Sequence, residues 1–244
     1  MANTIPFPDK PVRTIGIIGG STQFATIEYY RSINAEINRL LGGSYTGEIL
    51  IDSMNFAKSD YYVNNGLWDE GGAYLNEKAR RLEAAGAEFL ICVSNTWHRA
   101  APLFMRDVAI PLLHIVDPTA AAIRDAGLRR VALLGTKPVM ATSFLKDEFV
   151  ARGIEIVVPD EAEQDFVNRM IFDEMAKGVF SEEARHGHLA IIDQLLAAGA
   201  EGVILGCTEI PLLIKQADRP DHPMFDTLAL HAKAAAARAA APRF

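Results

Sequence analysis

The stretch Gly199–Leu213, GAEGVILGCTEIPLL, decides how the chain reads. Val203, Ile204 and Leu205 form a short β-type run without polar alternation, the pattern of a strand buried on both faces of a parallel sheet. Gly206, Cys207 and Thr208 follow at once. They occupy the strand end where open α/β sheets gather their chemistry.

The same stretch occurs earlier. Ala84–Glu88 matches Ala197–Glu201 residue for residue at an offset of 113, and each copy leads into an apolar run, Phe89–Val93 and Gly202–Gly206. At that offset Ser94 is the counterpart of Cys207. A second echo pairs Ile15–Gly20 with Val131–Thr136 at an offset of 116. Two echoes in one order and at nearly one spacing indicate a duplicated lobe. The expected fold is therefore α/β, with two pseudo-symmetric Rossmann-like lobes, each a mostly parallel sheet flanked by helices, and Ser94 and Cys207 facing each other across the cleft.

Working outward, Thr14–Ile18 reads as the first strand, ending in Gly19-Gly20-Ser21-Thr22, and Ile27, Tyr30, Ile33 and Ile37 keep helical spacing up to Gly42-Gly43. Strands are expected at Glu48–Asp52, Phe89–Val93, Ile110–Val116, Val131–Gly135, Ile154–Val158 and Val203–Leu205, with a last short one at Met224–Thr227. Helices are expected through Leu75–Ala85, from an Asp117 cap and Pro118 to Ala126, and over Met140–Ala151, Phe166–Ala176, Glu182–Ala198 and Leu228–Ala240. Alternating strands and helices imply parallel sheets. The first lobe is assigned residues 1–117 and 213–244, since the final helix is expected to return to it, and the second lobe residues 118–212.

The chain has 244 residues, is 50% hydrophobic and carries a net charge of −7, which suits buried cores and argues against a nucleic-acid or anionic-membrane surface. Residues 1–13 contain Pro6, Pro8 and Pro11 but no apolar core, so no secretory leader is expected. No run reaches the length of a membrane span. Two cysteines fit a reducing compartment, and a cytoplasmic protein is expected. Gly16, Gly19 and Gly20 do not have dinucleotide-binding spacing, and His186 and His188, two apart on a helix, point to different faces, so neither a nucleotide cofactor nor a metal is expected. Cys92 lies inside an apolar strand and reads as a small hydrophobe. Cys207, beyond its strand and among turn amides, reads as a functional thiol. Ser94-Asn95-Thr96 is equally a polar cap or, with the repeat, half of a site.

These segments resemble the aspartate/glutamate racemase family. The likeness is carried by IGIIGG, SNTWH at Ser94–His98, LLHIVDPTA, LLGTKPVM, VNRMIFDEM, GVILGCTEIPLL and FDTLALHA, and it leans toward the broad-specificity and L-aspartate/glutamate-specific branch. The resemblance implies racemisation of an amino acid without pyridoxal phosphate, by α-proton abstraction at one face and return at the other. It implies Cys207 and Ser94 as the catalytic pair, with Asn95, Thr96 and Thr208 holding the α-carboxylate and Ser21, Thr22, Gln23, Ser53 and Lys137 around the rest of a small amino-acid or dicarboxylate substrate. A homodimer is implied by the same likeness.

One departure matters. The family's first thiol is Ser94 here, and a hydroxyl is a far weaker base than a thiol with an ordinary pKa of about 8.5. Members of the related branch carry threonine at that place. Two alternatives accommodate a single thiol: a cofactor-free decarboxylase of malonate-type diacids, or a binding protein that has lost its chemistry.

Overall fold

The computed structural model describes residues 12–242; the expectation about a leader falls on residues 1–11, outside them. In chain order the elements are β1 (Ile15–Gly19), α1 (Gln23–Leu41), β2 (Ile49–Ser53), α2 (Phe56–Asn64), α3 (Trp68–Ala84), β3 (Phe89–Cys92), α4 (Ala101–Phe104) and α5 (Val116–Asp125). There follow β4 (Arg130–Gly135), α6 (Lys137–Ala141), α7 (Ser143–Val150), β5 (Glu155–Val157), α8 (Glu161–Asp173), α9 (Glu182–Ala197), β6 (Val203–Gly206), α10 (Ile210–Leu213), β7 (Met224–Asp226) and α11 (Thr227–Ala240). Two all-parallel sheets result, in the orders β2-β1-β3 and β5-β4-β6-β7.

The repeat extends to register. Ile18 pairs with Cys92 in one sheet and Leu134 with Leu205 in the other, which are equivalent positions under the offsets of 116 and 113. Apolar runs without alternation are required because both faces of each sheet are covered. In the first lobe Tyr29, Ile33 and Ile37 of α1 and the alanine face of α11 cover one side, and Leu75, Ala79 and Leu82 of α3 the other. In the second lobe α8 and α9 cover one side, while α5 and α7 cover the side carrying Leu133 and Ile204.

Several elements differ from expectation. Helix α1 turns Ala25, Tyr29, Ile33 and Ile37 inward; Ile33 and Ile37 are buried, while Ile27 and Tyr30 are exposed and their inward places fall to Ala25 and Tyr29. The strand expected at Ile110–Val116 reduces to a single bridge from Leu112 to Leu90, because Pro111 lacks an amide and the chain turns directly into α5. That helix starts at Val116, which places Asp117 and Pro118 within its first turn. The helix expected over Met140–Ala151 is broken at Thr142, whose extended backbone separates α6 from α7 and whose hydroxyl donates back to Pro138 O. β7, placed with the first lobe from sequence, instead pairs with β6 at the edge of the second sheet; α11 alone returns to pack on α1.

Candidate active site

The two sheets present equivalent strand ends to one cleft. Beyond β3, Ser94, Asn95, Thr96 and Trp97 line it; Gly206 at the end of β6 and Cys207, Thr208 and Glu209 beyond it do the same. Ser21 and Thr22 enter from the turn after β1, and Thr136 from the turn after β4. The β1 turn depends on Gly20: its φ is +81°, and a Cβ there would lie 2.2 Å from Met54 O.

The turns are tied crosswise. Thr22 Oγ1, which also caps α1 by accepting from the Ala25 amide, donates to Glu209 Oε1 at 2.5 Å. In the pseudo-equivalent place Thr96 Oγ1 meets Thr136 Oγ1 at 2.9 Å. The turn after each lobe's third strand thus bonds the turn after the other lobe's first strand. Asn95 is held from below, its Nδ2 donating to Thr227 Oγ1, which in turn donates to Leu205 O at the end of β6.

Cys207 is 7% exposed, and its thiol donates to Glu209 Oε2 at 3.2 Å. Thr208 Oγ1 donates to the same oxygen at 2.7 Å, so three donors satisfy one buried carboxylate. Burial, then the Glu209 charge, push the thiol well above its ordinary pKa, while the Glu209 and Ile210 amides pull the other way. The sulfur therefore rests protonated, with its hydrogen directed at the Glu209 carboxylate.

Ser94 Oγ accepts from the Trp97 amide at 3.3 Å, which leaves its own proton free for the cleft. The Ile115 amide donates to His98 Nε2, so Nδ1 carries the proton and donates to Ser94 O at 2.7 Å. Burial, then His114 and His231, push the pKa of His98 well down and keep it neutral. His98 consequently orients the Ser94 backbone and is no base for the hydroxyl. Cys92 is fully buried and pushed up to about 12, which suits its packing role.

Of the residues expected from sequence, Cys207, Ser94, Asn95, Thr96, Thr208, Ser21 and Thr22 meet in this cleft. Gln23 and Ser53 line an adjoining depression shared through Thr22 and Phe56. Lys137 does not enter: it opens α6, and its Nζ bonds Asp165 of α8 at 2.5 Å. Sequence reasoning left Glu209 without a role and did not single out Thr136, Trp97, Phe172, or the face of α2 that carries Phe56, Ser59, Asp60 and Val63. The repeat held a signal for Glu209, since it is the counterpart of Thr96. His188 is buried in the second lobe and His186 is exposed, and no metal-competent cluster occurs among the described residues. No helix among them is long and apolar enough to cross a membrane.

Two parallel-sheet lobes whose strand ends meet in one cleft form the architecture of the amino-acid racemases, enzymes that invert a carbon stereocentre. The chain is a member of the Asp/Glu/Hydantoin racemase family, whose model matches residues 15–235. It is 30% identical over 217 residues to a glutamate racemase of Roseiflexus sp. (strain RS-1), covering 85% of this chain and 71% of that protein. Its fold matches a candidate Asp/Glu racemase of Yersinia pestis at a TM-score of 0.85 and 37% identity, covering 93% of this chain and 99% of that one. An aspartate racemase homologue of Pyrococcus horikoshii OT3 superposes at 0.78 with 36% identity and the same coverage.

Proposed function

We propose that the protein racemises a free amino acid without a cofactor, with Cys207 as the principal base and acid and Ser94 as its partner on the opposite face. One observation carries this reading: the Cys207 thiol donates to a carboxylate inside the cleft that Ser94 also lines. Transfer of the thiol proton to Glu209 Oε2 leaves a thiolate, and the ammonium of an arriving substrate offsets the charge that otherwise opposes it. The thiolate takes the α-proton. The carbanion is then held as an enediolate in a water-poor site by Asn95, Thr96 and the Thr208 hydroxyl, which Glu209 Oε2 gives up on taking the thiol proton. Ser94 Oγ delivers a proton to the other face and recovers one from solvent, while Glu209 releases to solvent the proton it took from the thiol, so that the starting protonation state returns.

A hydroxyl removes a proton far less readily than a thiolate, so the two directions are unequal. In family members the second-lobe thiol works on the L-enantiomer. Proton NMR in deuterated buffer is therefore expected to show faster α-proton loss from L- than from D-amino acids, abolished by Cys207→Ala. Equal rates from both enantiomers would remove the asymmetric mechanism, and exchange surviving in Cys207→Ala would remove the thiol.

A further inference from the structure

The charge of the cleft conflicts with an acidic substrate side chain. Its described lining contains two carboxylates, Asp60 and Glu209, and no lysine, arginine or histidine. Glu209 is bonded to the reacting sulfur, which places its charge at the substrate's α-carbon and ammonium. Asp60 belongs to a different element. It lies on α2 four residues after Phe56 and three before Val63, spacings that put all three on one helix face, and all three line the cleft.

That face is held in place. Ser59 Oγ accepts from Trp97 Nε1 at 2.8 Å, fastening α2 to the segment that follows Ser94. Asp60 is half-buried; its carboxylate accepts an amide hydrogen from the exposed Asn64 at 2.8 Å and forms no ion pair among the described residues. Phe56, Val63, Trp97 and Phe172 supply apolar walls to the same cleft. Lys137, the cation the sequence reading sent to the substrate, is spent on Asp165 outside the cleft.

An unpaired carboxylate beside aromatic walls repels a second carboxylate and suits an aliphatic stem ending in a positive charge. We infer that the substrate is an amino acid with a cationic side chain, of the ornithine, lysine or arginine class, and that Asp60 is its specificity-determining residue. The inference rests on the racemase reading for its chemistry, but not for its binding.

The test is a panel of L-ornithine, L-lysine, L-arginine, L-glutamine, L-aspartate and L-glutamate, followed by α-proton exchange in the wild type and in Asp60→Asn. Binding to Cys207→Ala is measured in parallel by calorimetry, and thermal melts show that each variant is folded. The expected wild-type kcat/KM is at least about tenfold higher for the cationic members than for the acidic ones, on the scale of one partly buried charge contact. In Asp60→Asn the ratio of L-ornithine to L-glutamine is expected to fall about tenfold, and Asp60→Glu to restore part of it. Preference for aspartate or glutamate, or a variant that slows every substrate alike, would overturn the assignment of Asp60. Calorimetric binding of the cationic members without exchange would support the specificity and retire the racemase chemistry. No binding and no exchange would overturn both.

Discussion

Thr22 and Glu209, 187 residues apart, share a 2.5 Å hydrogen bond across the two lobes, and the other oxygen of that carboxylate holds the Cys207 thiol. The charge that raises the thiol pKa is thus also a strap between the lobes. Replacing it isosterically separates the two effects. In Glu209→Gln, alkylation of Cys207 by iodoacetamide is expected to reach half its maximal rate at a lower pH than in the wild type, because a negative charge beside the sulfur has gone. Exchange of the α-proton is expected to slow, since an amide cannot take the thiol proton. An unchanged alkylation profile would show that the sulfur does not feel the carboxylate.

Ser94 is 5% exposed and occupies the place where a thiol would mirror Cys207. Ser94→Cys changes one atom and provides a base that can be ionised near neutral pH. Exchange from D-amino acids is expected to rise by about 10²-fold, within the usual range for a positioned acid–base group. NMR rates for both enantiomers check this, and a D-rate no higher than the wild type's would mean that the first-lobe face is not used.

Gly20 is required by both conformation and space. A side chain at φ +81° is strained, and its Cβ would collide with the Met54 backbone. Gly20→Ala is expected to cost about 2–4 kcal/mol, read from the urea midpoint at constant m. A loss under 0.5 kcal/mol, about the scale of an ordinary surface change, would show that the turn relaxes freely.

Lys78 is buried and donates to Asp52 Oδ1 at 2.7 Å, with Arg81 on the other oxygen. Burial alone would raise the Asp52 pKa, but the hydrogen bonds from Arg81 and Lys78 hold it below the ordinary carboxyl value. A depressed carboxyl adds stability above its unfolded pKa of about 3.9 and loses it as pH falls through the folded value. Lys78→Met, which keeps the apolar stem, is expected to cost about 2 kcal/mol at pH 7 and progressively less toward pH 3. Urea unfolding across that range is the measurement; a difference independent of pH would exclude the linkage.

The strands were legible because burial on both faces leaves unbroken apolar runs, as in Phe89–Cys92 and Val203–Leu205. The internal repeat then singled out Ser94 as the counterpart of Cys207, and both line the cleft, information no single motif holds. Helix α2 was not legible: in Phe56–Asn64 the polar residues of the cleft-facing side, Ser59 and Asp60, interrupt the apolar period that would announce a helix. Its visible cue was Asn55, whose side chain accepts from the Ala57 amide. The start of α8 had a cue too, the Asp160–Glu163 capping box. Lys137 was misplaced because proximity to a strand end does not reveal where a long side chain turns, and the acidic partner that captures it lies 28 residues away.

Helix α11 follows the whole second lobe in the chain, yet Leu228, Ala232, Ala235, Ala236 and Ala239 complete the core around Ile15, Tyr29 and Phe89, and Thr227 anchors Asn95. On the ribosome, the first half to emerge therefore waits with this sheet face covered by α1 alone until α11 is released. Contacts of such sequence separation are slow to form. The two halves therefore cannot complete their cores one after the other, and the first-made half keeps an incompletely packed face the longer.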